Sequence, residues 1–428
     1  MVQPSVLVRR RPGPKQGVNG LCPRRFKTLR RAMTLRSLTA AVMLALAAVG
    51  SAPAAIPQPV AAIKAPALVP LEQAFMKAAT DLFAKLPASA GETTIVIDPL
   101  IDGVTGIQSA ATRGFDKRIA ELVAQRYPHV KVLAFTPENV AKARFVFIGT
   151  FNTINNAGQP GGEKDAFWIC FALVEREAKT VYARSVSRSV VNNVDIAPAA
   201  SYSDSPVWGM DAATRAYIEA CQKGQPGTPV APAYIDQLGA AARIREATAA
   251  YEAGEHAKAR DLYREAKEQP GGDQLRVLNG LYLSYAALGD NTQADSTFGQ
   301  MVERGFSLGQ LGVKFLFEPN STAFNADRKL SASYPAWLRE IAAKATKAGV
   351  CLEVVGHASR TGPESLNDRL SRDRAERIAS LMASQAPGIS QRLRSSGVGY
   401  REALVGLPRD DASTAVDRRV EFKTAPCA

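Results

Sequence analysis

The stretch CLEVVGHASRTGPESLNDRLSRDRAERIASLMAS, residues 351–384, decides the fold of the last third of this 428-residue chain. Residues 351–358 are mostly apolar and predict a strand. The turn residues SRTG follow at 359–362, and Pro363 stands where proline favours the first turn of a helix. Residues 364–384 predict one long helix. The stretch therefore predicts a strand, a tight turn and a helix in immediate succession.

Two flanking stretches extend this pattern into a domain over residues 311–424. The segment VKFLFEPNSTAF at 313–324 predicts a strand that ends in a Pro-Asn-Ser-Thr turn. A helix is predicted over 327–348 and a short strand near 395–400. The segment RRVEFK at 418–423 predicts the strand that closes the sheet.

The order of these residues resembles OmpA-like peptidoglycan-binding domains. Their pattern is close to G-H-T-D-x-x-G, then N-x-x-L-S-x-x-R-A, then D-R-R-V-E. The corresponding residues here are Gly356, His357, Ala358, Ser359 and Gly362, then Asn367, Leu370, Ser371, Arg374 and Ala375, then Asp417, Arg418, Arg419, Val420 and Glu421. The resemblance implies a β/α sandwich, with helices over one face of a mixed sheet. It also implies that the ligand is a peptidoglycan stem peptide of the diaminopimelate type.

The spacing within the long helix predicts a binding face. Asn367, Ser371 and Arg374 are separated by four and three residues, so they share one side of the helix. The packing side is predicted to contain Leu366, Leu370, Ile378 and Leu381. Free backbone N–H groups at the helix N-terminus favour a carboxylate, which Arg374 would hold through a two-pronged hydrogen bond. The predicted site comprises Ser359, Arg360, Asn367, Ser371, Arg374 and Arg418.

Ser359 departs from the family pattern. The resemblance places an Asp there, which meets the ammonium group of the ligand. A serine hydroxyl carries no charge, and replacing a charge-assisted hydrogen bond by a neutral one weakens binding by about tenfold or more. Glu364 and Asp368 are the candidates to compensate, while Arg360 makes the turn more cationic.

An internal repeat marks the middle of the chain, over 211–305. Gly254, Ala259, Tyr263 and Ala266 recur 35 residues later as Gly289, Ala294, Phe298 and Met301. This pattern resembles a tetratricopeptide helix pair, whose period is about 34 residues. Two repeats are too few to be stable alone, so they must pack on a helix at 211–222, a helix at 233–248 or a neighbouring domain. The segment is interpreted either as a groove that binds envelope proteins or as a helical spacer.

The region 68–195 is predicted to be an α/β domain, so the fold class is multi-domain α+β. Helices are predicted over 71–86 and 112–126, and strands over 93–98, 130–135, 144–151, 167–175 and 180–190. Asp98 and Asp102 lie beside Gly103 and Gly106. They are interpreted as part of a strand-ending turn, since no phosphate-loop lysine or EF-hand spacing accompanies them.

The charge and the N-terminus point to secretion rather than to nucleic acid. Of the 53 basic residues, ten lie in residues 1–54, which contain no acidic residue, and the other 43 nearly balance the 40 acidic residues. From Met33 the chain shows a basic start, the apolar run Leu38–Val49 and then small residues, which is the pattern of a cleavable signal peptide. The alternative is an uncleaved anchor helix. We therefore predict a periplasmic protein, compatible with outer-membrane association.

Secretion places the cysteines where disulfides persist. If the strands beginning at Cys351 and ending before Cys427 run antiparallel side by side, those two thiols meet. Cys170 and Cys221 remain as the second pair, with free buried thiols as the alternative. The three histidines, His129, His256 and His357, form no cluster in the sequence, so neither a metal nor a cofactor is predicted.

Three functions compete on this evidence. The first is a non-enzymatic envelope protein that tethers partner proteins to peptidoglycan. The second is an interaction scaffold whose C-terminal domain no longer binds the wall, as Ser359 permits. The third is an enzyme whose site surrounds Asp98 and Asp102 in the first domain.

Overall fold

The computed structural model describes residues 66–87, 91–155, 163–318, 320–326 and 331–427, which belong to one unit that begins at Ile63. The predicted signal peptide and the basic segment before it lie outside the described residues. No helix within the described ranges is long and apolar enough to cross a membrane.

A mixed sheet forms the centre of the N-terminal region. Its strands are β1 (Leu68–Val69), β2 (Thr93–Ile97), β3 (Ile101–Asp102), β4 (Val130–Leu133), β5 (Phe145–Ile154), β6 (Ala166–Glu175) and β7 (Thr180–Val190). Their order is β1-β7-β6-β5-β2-β4, and β3 pairs with β5 beyond the end of β2. The long strands β5, β6 and β7 are antiparallel, whereas β2 runs parallel to both of its neighbours.

Helices cover both faces of this first sheet. On one face lie α1 (Leu71–Phe83) and α2 (Phe115–Arg126), which pack against Phe147 and Phe171. On the other face lie α3 (Pro137–Val140), α5 (Ala212–Gln222), α6 (Pro232–Ile235) and the start of α7 (Leu238–Glu252). The short helix α4 (Ala200–Ser203) precedes them in the chain. The helix predicted at 211–222 is therefore part of the covering of the first sheet.

The helical repeat consists of two antiparallel pairs, α7 with α8 (His256–Glu268) and α9 (Leu275–Ala287) with α10 (Asn291–Ser307). Gly254 and Gly289 occupy equivalent turns, with φ of 78° and 76°, where a left-handed backbone favours glycine. The first pair has a small core around Ala259 and Tyr263. The second pair shares its core with the C-terminal sheet, through Phe298 and Met301.

The C-terminal sheet has the order β11-β10-β12-β9-β8. Its strands are β8 (Val207–Trp208), β9 (Gln310–Val313), β10 (Cys351–Gly356), β11 (Leu393–Gly397) and β12 (Val420–Ala425). Only the β10–β11 pair is parallel. One face packs against α9, α10, α11 (Tyr334–Ala348) and α12 (Glu364–Gln385), as expected for helices over one face of a mixed sheet.

One predicted element bound is wrong. The strand expected from Val313 onward is already complete at Val313, because Phe315 turns into the helix layer and packs against Tyr334. The helix expected from Asp327 is present over Tyr334–Ala348, where Pro335 occupies the first turn, and its predicted start at 327–330 lies outside the described residues. Between β9 and this helix, Phe317 and Phe324 make an isolated bridge.

Both cysteine pairs are joined. Cys351 pairs across the sheet with the end of β12, since Cys351 lies opposite Ala425 in an antiparallel ladder, and it forms a disulfide with Cys427. A second disulfide joins Cys170 in β6 to Cys221 in α5. It links the first sheet to the helix that covers it.

Candidate functional site

The candidate site lies where α12 packs directly on the ends of β10 and β11. A Cβ atom on Gly356 would lie 1.9 Å from the carbonyl oxygen of Ser371, and one on Gly397 would lie 2.2 Å from the backbone nitrogen of Arg372. Neither position tolerates a side chain, because backbone meets backbone there. The two glycines bring the start of the helix against the strand ends, and the site forms at this contact.

The buried face of α12 differs from the predicted one. Leu366, Leu370 and Leu381 are only partly buried, and of the predicted packing residues Ile378 alone is fully buried. The buried residues are Asn367, Ser371, Arg374, Ala375, Ile378 and Met382. Because the helix approaches the sheet so closely, its contact face needs small and hydrogen-bonding residues rather than leucines. The predicted binding face therefore points into the domain.

Asn367 and Ser371 hold the turns that border the site. The Asn367 side-chain amide donates to the carbonyls of Thr361, at 2.7 Å, and Pro363, at 3.3 Å. The Ser371 hydroxyl accepts from the backbone N–H of Gly399 at 2.9 Å. Both side chains are at least 95% buried, so their bonds fix the loop at 359–363 and the turn at 397–400.

Arg374 is only 6% exposed, and its hydrogen bonds hold the loop before α11 in place. Its Nε donates to the Ser321 carbonyl at 3.0 Å and its Nη2 to the Glu318 carbonyl at 3.2 Å. The guanidinium carbon lies 4.8 Å from the centre of the Phe317 ring. Burial, together with the charge of Arg418, lowers the pKa of Arg374 to about 10. Within the described residues its Nη1 has no hydrogen-bond partner, so one edge of the fork remains for a ligand.

A carboxylate stands beside Ser359, and it comes from a distant part of the chain. The hydroxyl of Ser359 lies 3.3 Å from Oδ1 of Asp410, within hydrogen-bond distance. The Asp410 side chain is 51% exposed and also contacts Arg418 Nη1. Arg418 additionally donates to the carbonyl of Asp411 at 2.9 Å. Sequence reasoning missed Asp410, because it lies 51 residues after Ser359 in an irregular segment outside the quoted motifs.

The residues expected to compensate for Ser359 lie elsewhere. Glu364 and Asp368 both pair with Arg401, at the turn after β11. Arg360 places its guanidinium carbon 5.6 Å from the centre of the Tyr400 ring. The groups of opposite charge that lie at the turn at 359–362 are therefore Arg360, within the turn, and the Asp410 carboxylate, which also pairs with Arg418.

Behind the turn lies a buried ionic cluster. His357 is 2% exposed, and its Nε2 is 3.7 Å from Oε2 of Glu421. Arg419 Nε donates to the other Glu421 oxygen at 2.6 Å. Burial alone would raise the pKa of Glu421, but His357 and Arg419 outweigh burial and lower it to about 2. Burial lowers the pKa of His357.

His357, Glu421 and Glu402 bring their ligand atoms within 4.8 Å of one another. This set is a poor metal site because cations already neutralise it. Arg419 bonds to Glu421, and Lys423 Nζ lies 3.4 Å from Glu402. Within the described residues, neither ring nitrogen of His357 has a hydrogen-bond partner.

The two acidic residues of the first region make structural hydrogen bonds. Asp98 is 7% exposed and accepts from the Tyr234 hydroxyl at 2.8 Å, while burial raises its pKa to about 6. Asp102 accepts from the backbone N–H groups of Val104 and Thr105, which closes the turn after β3. Asp102 therefore belongs to a turn, whereas Asp98 joins the end of β2 to α6 through a long-range hydrogen bond.

No protein-family model matches this chain, and no curated protein does. Solved structures with similarity include the periplasmic domain of Helicobacter pylori MotB, at 20% identity over 28% of this chain and 76% of that one, with a TM-score of 0.23. The peptidoglycan-associated lipoprotein from Burkholderia pseudomallei matches at 21% identity over 26% and 88%, with a TM-score of 0.22.

The cell wall anchor of the type VI secretion system (T6SS) from Pseudomonas aeruginosa matches at 19% identity over 30% of this chain and 95% of that one, with a TM-score of 0.24. At such low scores and identities, these similarities by themselves establish neither the fold nor the ligand of this chain.

Proposed function

We propose that this chain is a secreted, non-enzymatic cell-envelope protein that tethers partner proteins to peptidoglycan through an OmpA-like C-terminal domain. The observation that carries the proposal is the pairing of opposite charges around one turn. Ser359 contacts the Asp410 carboxylate, Asp410 pairs with Arg418, and the charges of Arg418 and Asp410 both influence the pKa of Arg374. A diaminopimelate end presents a carboxylate and an ammonium group, so it requires both kinds of partner.

The proposed binding mode divides the ligand between two subsites. The carboxylate would bind the free Nη1 of Arg374 and the N–H groups at the start of α12, where Pro363 leaves the helix without a side-chain cap. The ammonium group would bind the Asp410 carboxylate, with the Ser359 hydroxyl as a second acceptor. Asp410 would thus perform the role that the resemblance gives to an Asp at position 359.

A second candidate function is an interaction scaffold that no longer binds the wall. Two observations favour it: two of the Arg374 nitrogens already bind main-chain carbonyls, and Asp410 is already paired with Arg418. On this hypothesis, Arg374 only stabilises the loop at 317–321, and the helical repeats carry the function through protein partners.

Co-sedimentation with purified sacculi distinguishes the two functions. We expect the wild-type protein to pellet with sacculi and Arg374→Ala to stay in solution. Arg377→Ala is the matched control, since Arg377 is exposed on the same helix and its loss removes the same charge. Wild-type protein that stays soluble while correctly folded would support the scaffold.

Asp410→Asn tests the ammonium subsite with little risk to the fold, because the side chain is half exposed. We expect the affinity for soluble meso-diaminopimelate to fall about tenfold, as a charge-assisted hydrogen bond becomes a neutral one. Asp373→Asn removes the same charge from α12 at a distance from Ser359 and should bind normally. Calorimetric titration measures both variants, and equal affinities would exclude Asp410 from the subsite.

A further inference from the structure

A cavity of about 600 Å³ lies between the helical repeat and the two sheets. Its walls come from α4, β8 and α9, and from the segment that joins β9 to α11. The volume falls in the range of roughly 300–1,000 Å³ that is usual for small-molecule sites. Aromatic and aliphatic side chains form much of the wall, among them Val207, Leu275, Tyr282, Leu283 and Trp337.

Most of the charged side chains in the wall already have partners. Lys314 Nζ donates to the carbonyls of Tyr202, at 2.9 Å, and Ser203. Arg418 is bound by Asp410. The acidic residues are satisfied as well: Asp211 accepts from the Leu275 N–H at 2.7 Å, and Asp204 from the Tyr251 hydroxyl at 3.2 Å.

Arg276 is different. Its Nε donates to Gln274 at 2.6 Å, but within the described ranges its two terminal nitrogens have no hydrogen-bond partner and no carboxylate pairs with them. The hydroxyl of Tyr202, also in the wall, likewise has no partner among those residues. Burial raises the pKa of Tyr202, and the charge of Arg276, which lines the same cavity, partly offsets this effect.

The carboxylates of Asp98 and Asp211 act on the charge of Arg276 from a distance, and neither is hydrogen-bonded to it. The two terminal nitrogens are therefore available to an anionic ligand, and a single guanidinium suits a monoanion. The planar fork of arginine matches a carboxylate, to which it donates two parallel hydrogen bonds. The apolar walls beyond the charge favour a ligand with an apolar body.

We propose that this cavity binds a small amphipathic carboxylate, with its head on Arg276 and Tyr202 and its apolar body against Leu275, Leu283 and Trp337. The residues proposed to hold this ligand are not those of the turn at 359–362, although Arg418 lines the cavity and also pairs with Asp410 beside that turn. The proposal does not depend on peptidoglycan binding. The cavity would thus be a second ligand-binding site of the protein.

Calorimetric titration of the full chain with decanoate tests the proposal, with decylamine as a probe of equal length and opposite charge. We expect decanoate to bind and decylamine not to bind. Arg276→Gln should weaken decanoate binding at least about tenfold, because the charge-assisted bonds are lost. Arg264→Gln is the matched control, since Arg264 is exposed on α8 and its replacement removes the same charge.

Tyr202→Phe provides a second variant that removes only a hydroxyl, and circular dichroism checks that each variant is folded. A several-fold loss of decanoate affinity in Tyr202→Phe would support the proposal even if Arg276→Gln did not fold. The proposal is overturned if wild-type protein binds no decanoate at millimolar concentration. It is also overturned if folded Arg276→Gln binds decanoate as tightly as wild type, or if decylamine binds equally well.

Discussion

The two sheets of the molecule differ in what covers their faces. In the first sheet, the strand β5 is apolar on both faces: Phe147 faces α1, and the next residue, Ile148, faces α5. In β12 of the C-terminal sheet, Phe422 faces the helices, whereas Glu421 and Lys423 face the ionic cluster on the other side. The strand β5 therefore lies between two apolar cores, whereas β12 carries charged side chains on one of its faces.

The difference between a strand with two apolar faces and a strand with one is visible in the strand sequences. The strand β5 reads FVFIGTFNTI and is buried throughout, as expected for a strand covered on both faces. The strand β12 begins VEFK, which alternates apolar and charged residues, as expected for one apolar face. A continuous apolar run thus indicates two helix layers, and alternation indicates one.

The largest expected effect on stability comes from single substitutions at two neighbouring positions of β5. Phe147→Ala and Ile148→Ala should each lower the free energy of unfolding by about 3–4 kcal/mol, because each leaves a cavity in a different core. Lys423→Ala should change it by less than about 1 kcal/mol, whereas its neighbour Phe422→Ala should match Phe147→Ala. Chemical denaturation measures all four. A small effect of Ile148→Ala would contradict the covering of the first sheet on both faces.

Glu421→Gln tests the ionic face. We expect a loss of about 3 kcal/mol at pH 7, because Arg419 would remain buried without its partner. The pKa of Glu421 is about 2 in the folded protein and 4.5 for an unperturbed glutamate, so its stabilisation is present above pH 4.5 and is lost as the pH falls towards 2.

The difference in unfolding free energy between wild type and Glu421→Gln should therefore shrink between pH 5 and pH 2. The control is Glu353→Gln on β10, whose carboxylate is bonded to Ser396 at 3.1 Å and only partly buried. A difference that stays constant with pH would show that the charge of Glu421 is not what stabilises this face.

The last expected effect is an increase in the free energy of unfolding rather than a loss. The Asp98 carboxyl is buried beside the first sheet, and this burial raises its pKa from 3.8 to about 6. Its protonated form favours folding below pH 3.8, and this contribution is lost as the pH rises through 6. Asp98→Asn keeps an acceptor for Tyr234 and should raise the free energy of unfolding at pH 7–8, by at most about 3 kcal/mol. Thermal unfolding at pH 4 and pH 7.5 measures the gain, which should be absent at pH 4.

The long helix α12 shows how far the site could be predicted. The motif spacing correctly placed Asn367, Ser371 and Arg374 on one side of the helix. It did not indicate that this side is buried, because that depends on Gly356 and Gly397 allowing the helix backbone to touch the strand ends. The two glycines were present in the sequence, but the closeness of the contact is a property of the packed domain.

The sequence by itself predicted the mixed α/β composition, most of the strands, several of the longer helices and the 35-residue repeat, because these follow from local periodicity and turn chemistry. Only the tertiary structure decided which residues meet across long separations. It placed Asp410 beside Ser359, added β8 to the C-terminal sheet from before the helical segment, and placed Arg276 in the wall of a cavity. Such contacts depend on how whole elements pack against one another, and no local pattern in a single sequence records that packing.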